Sequence, residues 1–176
     1  MISKIKVDGN LSEEQQAQLR LLWNREYPVS LAHKTIESTI NYLRGLGQPQ
    51  HTLFYDGQGA FIGWFCVFER ENDRWFAMIL DENHQRKRLG SSMLKNAMLD
   101  YNRLCGWVID HDNDPKANGK AYSSPLTFYV RNGFSVINEV RLELPTISAV
   151  KIVWEKGGLI RHRPDGTGIC IADNAV

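Results

Sequence analysis

The chain has 176 residues, 43% of them hydrophobic, which suits one domain with a substantial core. Formal net charge is +1, so no global electrostatic field argues for nucleic acid or an acidic membrane surface. Three widely spaced cysteines, Cys66, Cys105 and Cys170, form neither a disulfide framework nor a zinc pattern.

In chain order, Ile5 and Val7 before Asp8-Gly9 predict a first strand and a turn. Ser12 with Gln15 has capping-box spacing, and Leu19, Leu22 and Trp23 predict the buried face of a helix that stops before Pro28. Ser30 is read as the cap of a second helix, buried along Ile36, Ile40 and Leu43 and stopped by Gly45 and Gly47. Residues 51–55, 60–68 and 75–80 read as three strands of an antiparallel meander. The last is apolar throughout, as a strand buried on both faces would be.

The chain then turns polar over residues 81–87. After Gly90 the apolar positions Leu89, Met93, Ala97, Tyr101 and Leu104 recur every three or four residues, which predicts a helix. A strand, a polar loop and a helix start rich in small residues form an anion site in outline. The first helical turn carries unpaired N–H groups and the positive end of the dipole. Gly90 leaves room for close approach of a phosphate, and Arg86, Lys87 and Arg88 add charge. Neither a nucleotide P-loop nor a dinucleotide fingerprint fits, because the glycine spacing is wrong.

A short strand over 106–109 follows, parallel to 75–80 because a helix crosses between them. Asp110-His111-Asp112-Asn113-Asp114 begins like a calcium loop but has Pro115 and Ala121 where glycine and glutamate are needed, so no metal is expected. Ser124-Pro125 starts a short helix that Asn132-Gly133 stops. Residues 140–144 and 150–154 alternate as a closing hairpin broken at Pro145. Residues 155–176 are a separate C-terminal extension of unknown role, with a hairpin turn at 164–168 as one reading.

Two segments carry a resemblance. Gln85-Arg86-Lys87-Arg88-Leu89-Gly90-Ser91 resembles the acyl-CoA-binding signature of the GCN5-related N-acetyltransferases, Gln/Arg-x-x-Gly-x-Gly/Ala, with Arg88 at the first glycine. Phe128-Tyr129-Val130-Arg131-Asn132-Gly133-Phe134 resembles that family's later Phe-Tyr-x-x-x-Gly-Phe segment. The resemblance covers residues 1–154. It implies an α/β (α+β) acyl-CoA N-acyltransferase-like fold: a mixed, mostly antiparallel sheet of about seven strands with about four helices.

It also implies acetyl transfer from acetyl-CoA to an amine, on a small molecule or a protein. The backbone of Met78, Ile79 and Leu80 would hold the thioester arm, in a gap where strands 75–80 and 106–109 splay. Gln85, Arg86, Lys87, Arg88, Leu89, Gly90, Ser91 and Ser92 would hold the pyrophosphate. Tyr129 would protonate the leaving thiolate. Asp110 is the candidate base beside it, with Asp81, Glu82 and His111 also in range of the strand ends. Tyr27, His33 and Tyr42 are read either as facing the acceptor or as ordinary helix-surface and core residues. The alternative function is a non-catalytic acyl-CoA-binding or sensing module. A homodimer through the last strands is left open. Buried thiols and the lack of a leader suggest the cytoplasm.

Overall fold

The computed structural model describes residues 1–158, and the 164–168 turn expected above lies outside them. Seven strands make one sheet in the order β1-β2-β3-β4-β5-β7-β6. They are β1 (Ser3–Asp8), β2 (Gly47–Tyr55), β3 (Phe61–Arg70), β4 (Asp73–Leu80), β5 (Arg103–Val108), β6 (Ser135–Leu144) and β7 (Ile147–Glu155). Every neighbouring pair is antiparallel except β4 and β5. The helices are α1 (Glu13–Glu26), α2 (Ile36–Arg44), α3 (Leu89–Asp100) and α4 (Leu126–Arg131). This is the mixed sheet and helix content expected from the sequence.

Alternation along the central strands sends residues to two cores. Trp64, Cys66, Phe68 and Trp75 pack with Leu19, Leu22 and Trp23 of α1 and Leu43 of α2. Phe65, Val67 and Phe76 pack with Met93, Leu94 and Ala97 of α3 and with Tyr129 and Phe134. Fully burying each large side chain contributes roughly 1.5–3 kcal/mol, so the two cores hold the sheet between its helix layers. Cys66 and Cys105 are buried free thiols, as their apolar neighbours suggested.

Several local expectations need correcting. Ser12 does form the capping box with Gln15, but Ser30 caps no helix. Val29–Leu31 is one 3-10 turn, and Thr35 makes a capping box with Ser38 to start α2. Both sites offered a good N-cap residue, and Pro28 with its neighbours took the tighter turn. The face of α2 is buried at Thr39 and Leu43, with Ile36 and Ile40 half-buried. Helix α3 ends at Asp100, because Tyr101 is extended (φ −125°, ψ 150°), and Leu104 belongs to β5. Strand β6 starts at Ser135, before the predicted alternation, since an irregularity between Ile137 and Arg141 breaks the period.

The feature that positions the site is the β4–β5 junction. The two strands are in register at Trp75 and Cys105, and that is the one pairing between them among the described residues. Beyond it, Met78–Leu80 and Trp107–Val108 are not paired with each other, so backbone groups of β4 face a gap instead of a ladder.

Candidate active site

The gap opens into two clefts that share a wall. One, of about 620 Å³, lies on the α3/α4 side and is lined by Met78, Ile79 and Leu80 of β4 and by Gln85, Arg86, Arg88, Gly90 and Ser91. The cofactor residues expected from the sequence are thus brought together, apart from Lys87, Leu89 and Ser92. Lys87 and Ser92 are exposed, and Leu89 packs against the α3-side core.

This wall fits an anionic group. The first turn of α3 has no acidic residue and no side-chain cap, so its N–H groups and the positive helix end are unopposed. Arg86 and Arg88 both have positive φ, 60° and 64°, on either side of Lys87. Such alternation turns successive N–H groups to one side, the geometry of an anion nest. Arg88 stands at the N-cap in left-handed conformation. That explains the glycine of the related signature: the position needs φ > 0, and arginine meets it at a cost of about 1–2 kcal/mol. Gly90 is constrained differently. A Cβ there would sit 3.1 Å from Cζ of Phe128, so the missing side chain makes room for a packed ring as well as for any phosphate.

Tyr129 sits where the two clefts meet and lines both. Its helix is anchored to the end of β5, since the Ser124 hydroxyl donates to the Ile109 carbonyl (2.7 Å) and accepts from the Leu126 N–H (3.2 Å). Its ring packs on Phe76 and Phe134, with centroids 5.7 and 5.6 Å away. Burial pushes the phenol well above its ordinary pKa, so it stays protonated. No hydrogen bond holds its hydroxyl among the described residues.

The second cleft, about 170 Å³, lies on the α1/α2 side. Tyr27, His33 and Tyr42, left open from the sequence, all line it. They gather round Trp23, with ring centroids at 4.6, 4.7 and 4.8 Å. Burial raises the Tyr27 phenol to about 12. His33 is lowered, first by burial and then by Arg20, and its buried Nε2 has no partner. Sequence reasoning missed Arg70, Trp107 and Tyr122 here, since each comes from an element whose facing is fixed only by the fold.

Residues 110–124 roof both clefts. The Val29 N–H donates to the Pro115 carbonyl at 2.9 Å, and Tyr122 stacks on Tyr27 at 6.3 Å. Lys116, buried, reaches Glu26 (3.1 Å) and Glu82 (3.3 Å). Glu26 lines the larger cleft and had no sequence signal, as it reads as an ordinary last-turn glutamate.

The candidate bases are all engaged. Asp110 is held bidentately by Arg141 at 2.9 and 3.0 Å, which lowers its pKa. Asp81 is pushed up by burial but, on balance, held below its ordinary value by His84 and Arg25. Its carboxylate also caps the 3-10 turn Glu82–His84 through the Asn83 N–H. Glu82 is lowered by Lys116. His111 Nδ1 accepts from the Asn113 N–H at 3.3 Å. No metal-binding cluster of three or more His, Cys, Asp or Glu occurs among the described residues.

No protein-family model and no curated protein matches the sequence. Solved structures do match the fold. An aminoglycoside 6'-N-acetyltransferase complexed with coenzyme A superposes with a TM-score of 0.60 at 11% identity, over 94% of this chain and 99% of its own. The PaiA N-acetyltransferase from Thermoplasma acidophilum in complex with coenzyme A gives 0.59 at 14%, over 89% and 99%. An acetyltransferase of the GNAT family from Streptococcus pneumoniae gives 0.53 at 15%, over 88% and 100%. The chain therefore carries the GCN5-related N-acetyltransferase fold.

Proposed function

We propose that this chain is an N-acetyltransferase that moves an acetyl group from acetyl-CoA directly to an amine. The observation that carries the reading is the Tyr129 hydroxyl, without a hydrogen-bond partner among the described residues, at the junction of a phosphate-suited cleft and an aromatic one. Neighbours of this fold whose names specify coenzyme A, an aminoglycoside or spermidine support the cosubstrate and the amine class.

Acetyl-CoA supplies an activated thioester. The α3 N-terminus with Gln85, Arg86, Arg88, Gly90 and Ser91 would hold its phosphates, and the free edge of Met78–Leu80 its arm. In the transfer one N–C bond forms, one C–S bond breaks, the nitrogen gives up a proton and the sulfur takes one. Tyr129 donates toward the sulfur. An amine near pKa ~10.4 in water must lose its proton first. With Asp81, Glu82 and Asp110 all ion-paired, burial in the aromatic cleft is the main driver, because desolvation disfavours an ammonium. His33, which lines this cleft and whose pKa is lowered by burial, has a buried Nε2 with no partner and is an uncommitted acceptor. Asp110 then acts by pinning β6 through Arg141.

Calorimetric titration with acetyl-CoA, followed by thiol release over an amine panel, tests this reading. Micromolar binding and turnover are expected. Tyr129→Phe should keep binding and lower turnover by ~10²–10⁴; unchanged turnover removes Tyr129 from the mechanism. The engaged carboxylates favour a second reading, a non-catalytic acyl-CoA sensor, which binding without turnover on any amine would establish. No helix among the described residues is long and apolar enough to cross a membrane. The free buried thiols fit our expectation of a cytoplasmic protein, and β6, an edge of the sheet, is where a homodimer would form.

A further inference from the structure

The aromatic cleft has a chemical polarity that narrows the acceptor. No aspartate or glutamate lines it. A polyamine or aminoglycoside carries several ammonium groups, and each one buried without a carboxylate would be costly. The cleft instead holds one cation, Arg70, which pairs in register with Asp73 at the start of β4, the end away from Met78–Leu80. The Arg70 guanidinium lies 5.4 Å from the Phe68 ring centroid and 5.5 Å from that of Trp75. The Lys151 ammonium, outside the cleft lining, lies 4.7 Å from the same Trp75 ring. Neither makes a salt bridge among the described residues, although Arg74, Arg103 and Arg141 nearby in the sheet are all paired. Trp75 is itself 1% exposed, and its Nε1 has no hydrogen-bond partner.

Size and span agree. A dry cavity of ~150 Å³ takes one benzene ring, and this cleft is about 170 Å³. Trp75, against Arg70, and Met78, at the unpaired end of β4, are three residues or ~10 Å apart along the strand. The α-amine of an amino acid is too close to its carboxylate for this span, and a longer side-chain amine brings a second ammonium with it. A single ring with the two groups on opposite sides is long enough.

Resting on the transferase reading above, we infer that the acceptor is a small monoamine with an aromatic or apolar body and a carboxylate at the end remote from the amine, and that Arg70 reads this carboxylate. The arginine fork suits a carboxylate bidentately and is always charged. The aromatic walls take the body, and the amine is left beside Tyr129.

The test compares 4-(aminomethyl)benzoate, benzylamine and spermidine as acceptors, by kcat/KM from thiol release, in the wild type and in Arg70→Met. The expected result is a preference for 4-(aminomethyl)benzoate over benzylamine of at least tenfold, poor use of spermidine, and a benzoate-to-benzylamine ratio near one in Arg70→Met. The ratio does not depend on how much of the variant folds. Equal or better use of benzylamine, a preference for spermidine, or a ratio that survives Arg70→Met overturns the inference. Quenching of the cleft tryptophans by the same amines, with coenzyme A present, reads binding apart from turnover. Arg70-dependent quenching by 4-(aminomethyl)benzoate without any acetyl transfer upholds Arg70 as the reader of the carboxylate while sinking the transferase reading. No quenching and no transfer overturns it, and calorimetry with acetyl-CoA then judges the cofactor site separately.

Discussion

At the scale of single residues, Arg88 shows how one substitution trades two properties. Its φ of 64° is left-handed, and its side chain lines the larger cleft. Arg88→Gly removes ~1–2 kcal/mol of backbone strain. Part of that is offset by the greater freedom of glycine in the unfolded chain, about 0.4–1 kcal/mol. We expect thermal unfolding to move up by roughly 2–4 °C, the shift for about 1 kcal/mol in a chain of this size. Acetyl-CoA binding should weaken severalfold by calorimetry, because a cation is lost from the anion site. A gain in both properties would show that the guanidinium does not face the ligand. The position of Arg88 was legible in the sequence because a signature glycine encodes a backbone angle. The packing of Gly90 on Phe128 was not, since the two meet only after α4 folds onto α3.

At the scale of elements, His51 ties three strands together. It sits in β2, is 2% exposed, and its Nε2 lies 3.0 Å from the Gly9 carbonyl just after β1. Its Nδ1 accepts from the Trp64 indole of β3 at 3.1 Å. The carbonyl needs a donor and the indole needs an acceptor, which fixes the neutral ring with its proton on Nε2. Burial accordingly lowers its pKa to about 4, from 6.5. Between those values the unfolded chain binds a proton that the folded chain refuses. Stability is therefore full above pH 6.5 and falls as pH drops toward 4, by up to ~3 kcal/mol. Urea unfolding at pH 7, 6 and 5 should show this fall, and His51→Gln should flatten it. An unchanged slope would mean that His51 titrates normally. Strands β2, β3 and β4 were legible because their apolar runs are bounded by turn residues. The end of α3 was harder, since Leu104 keeps the helical spacing while already lying in the next strand. The first half of β6 was hidden by the irregularity at Ile137–Arg141, which erases the two-residue period.

At the scale of the whole molecule, the sheet halves meet at one register point among the described residues and then part, and both clefts open at that parting. The order of motifs along the chain revealed the larger cleft, because loop, helix and Phe-Tyr segment carry local signals. The aromatic cleft draws on α1, α2, β3, β5 and the roof, so no window of sequence contains it. The roof also divides the chain in a useful way. Its arms are pinned separately, at Pro115 and Lys116 on one side and at Tyr122 and Ser124 on the other. Between the pins, residues 117–121 are exposed and turn back at Gly119, φ 77°. Exposed tips of this kind tolerate insertion. A soluble peptide spliced between Asn118 and Gly119 should leave acetyl-CoA titration within about twofold of the parent. Loss of binding would show that the tip itself holds the roof closed. If it is tolerated, this turn divides the protein into two genetic halves, each owning one wall of the site, and their reunion could be scored in living cells.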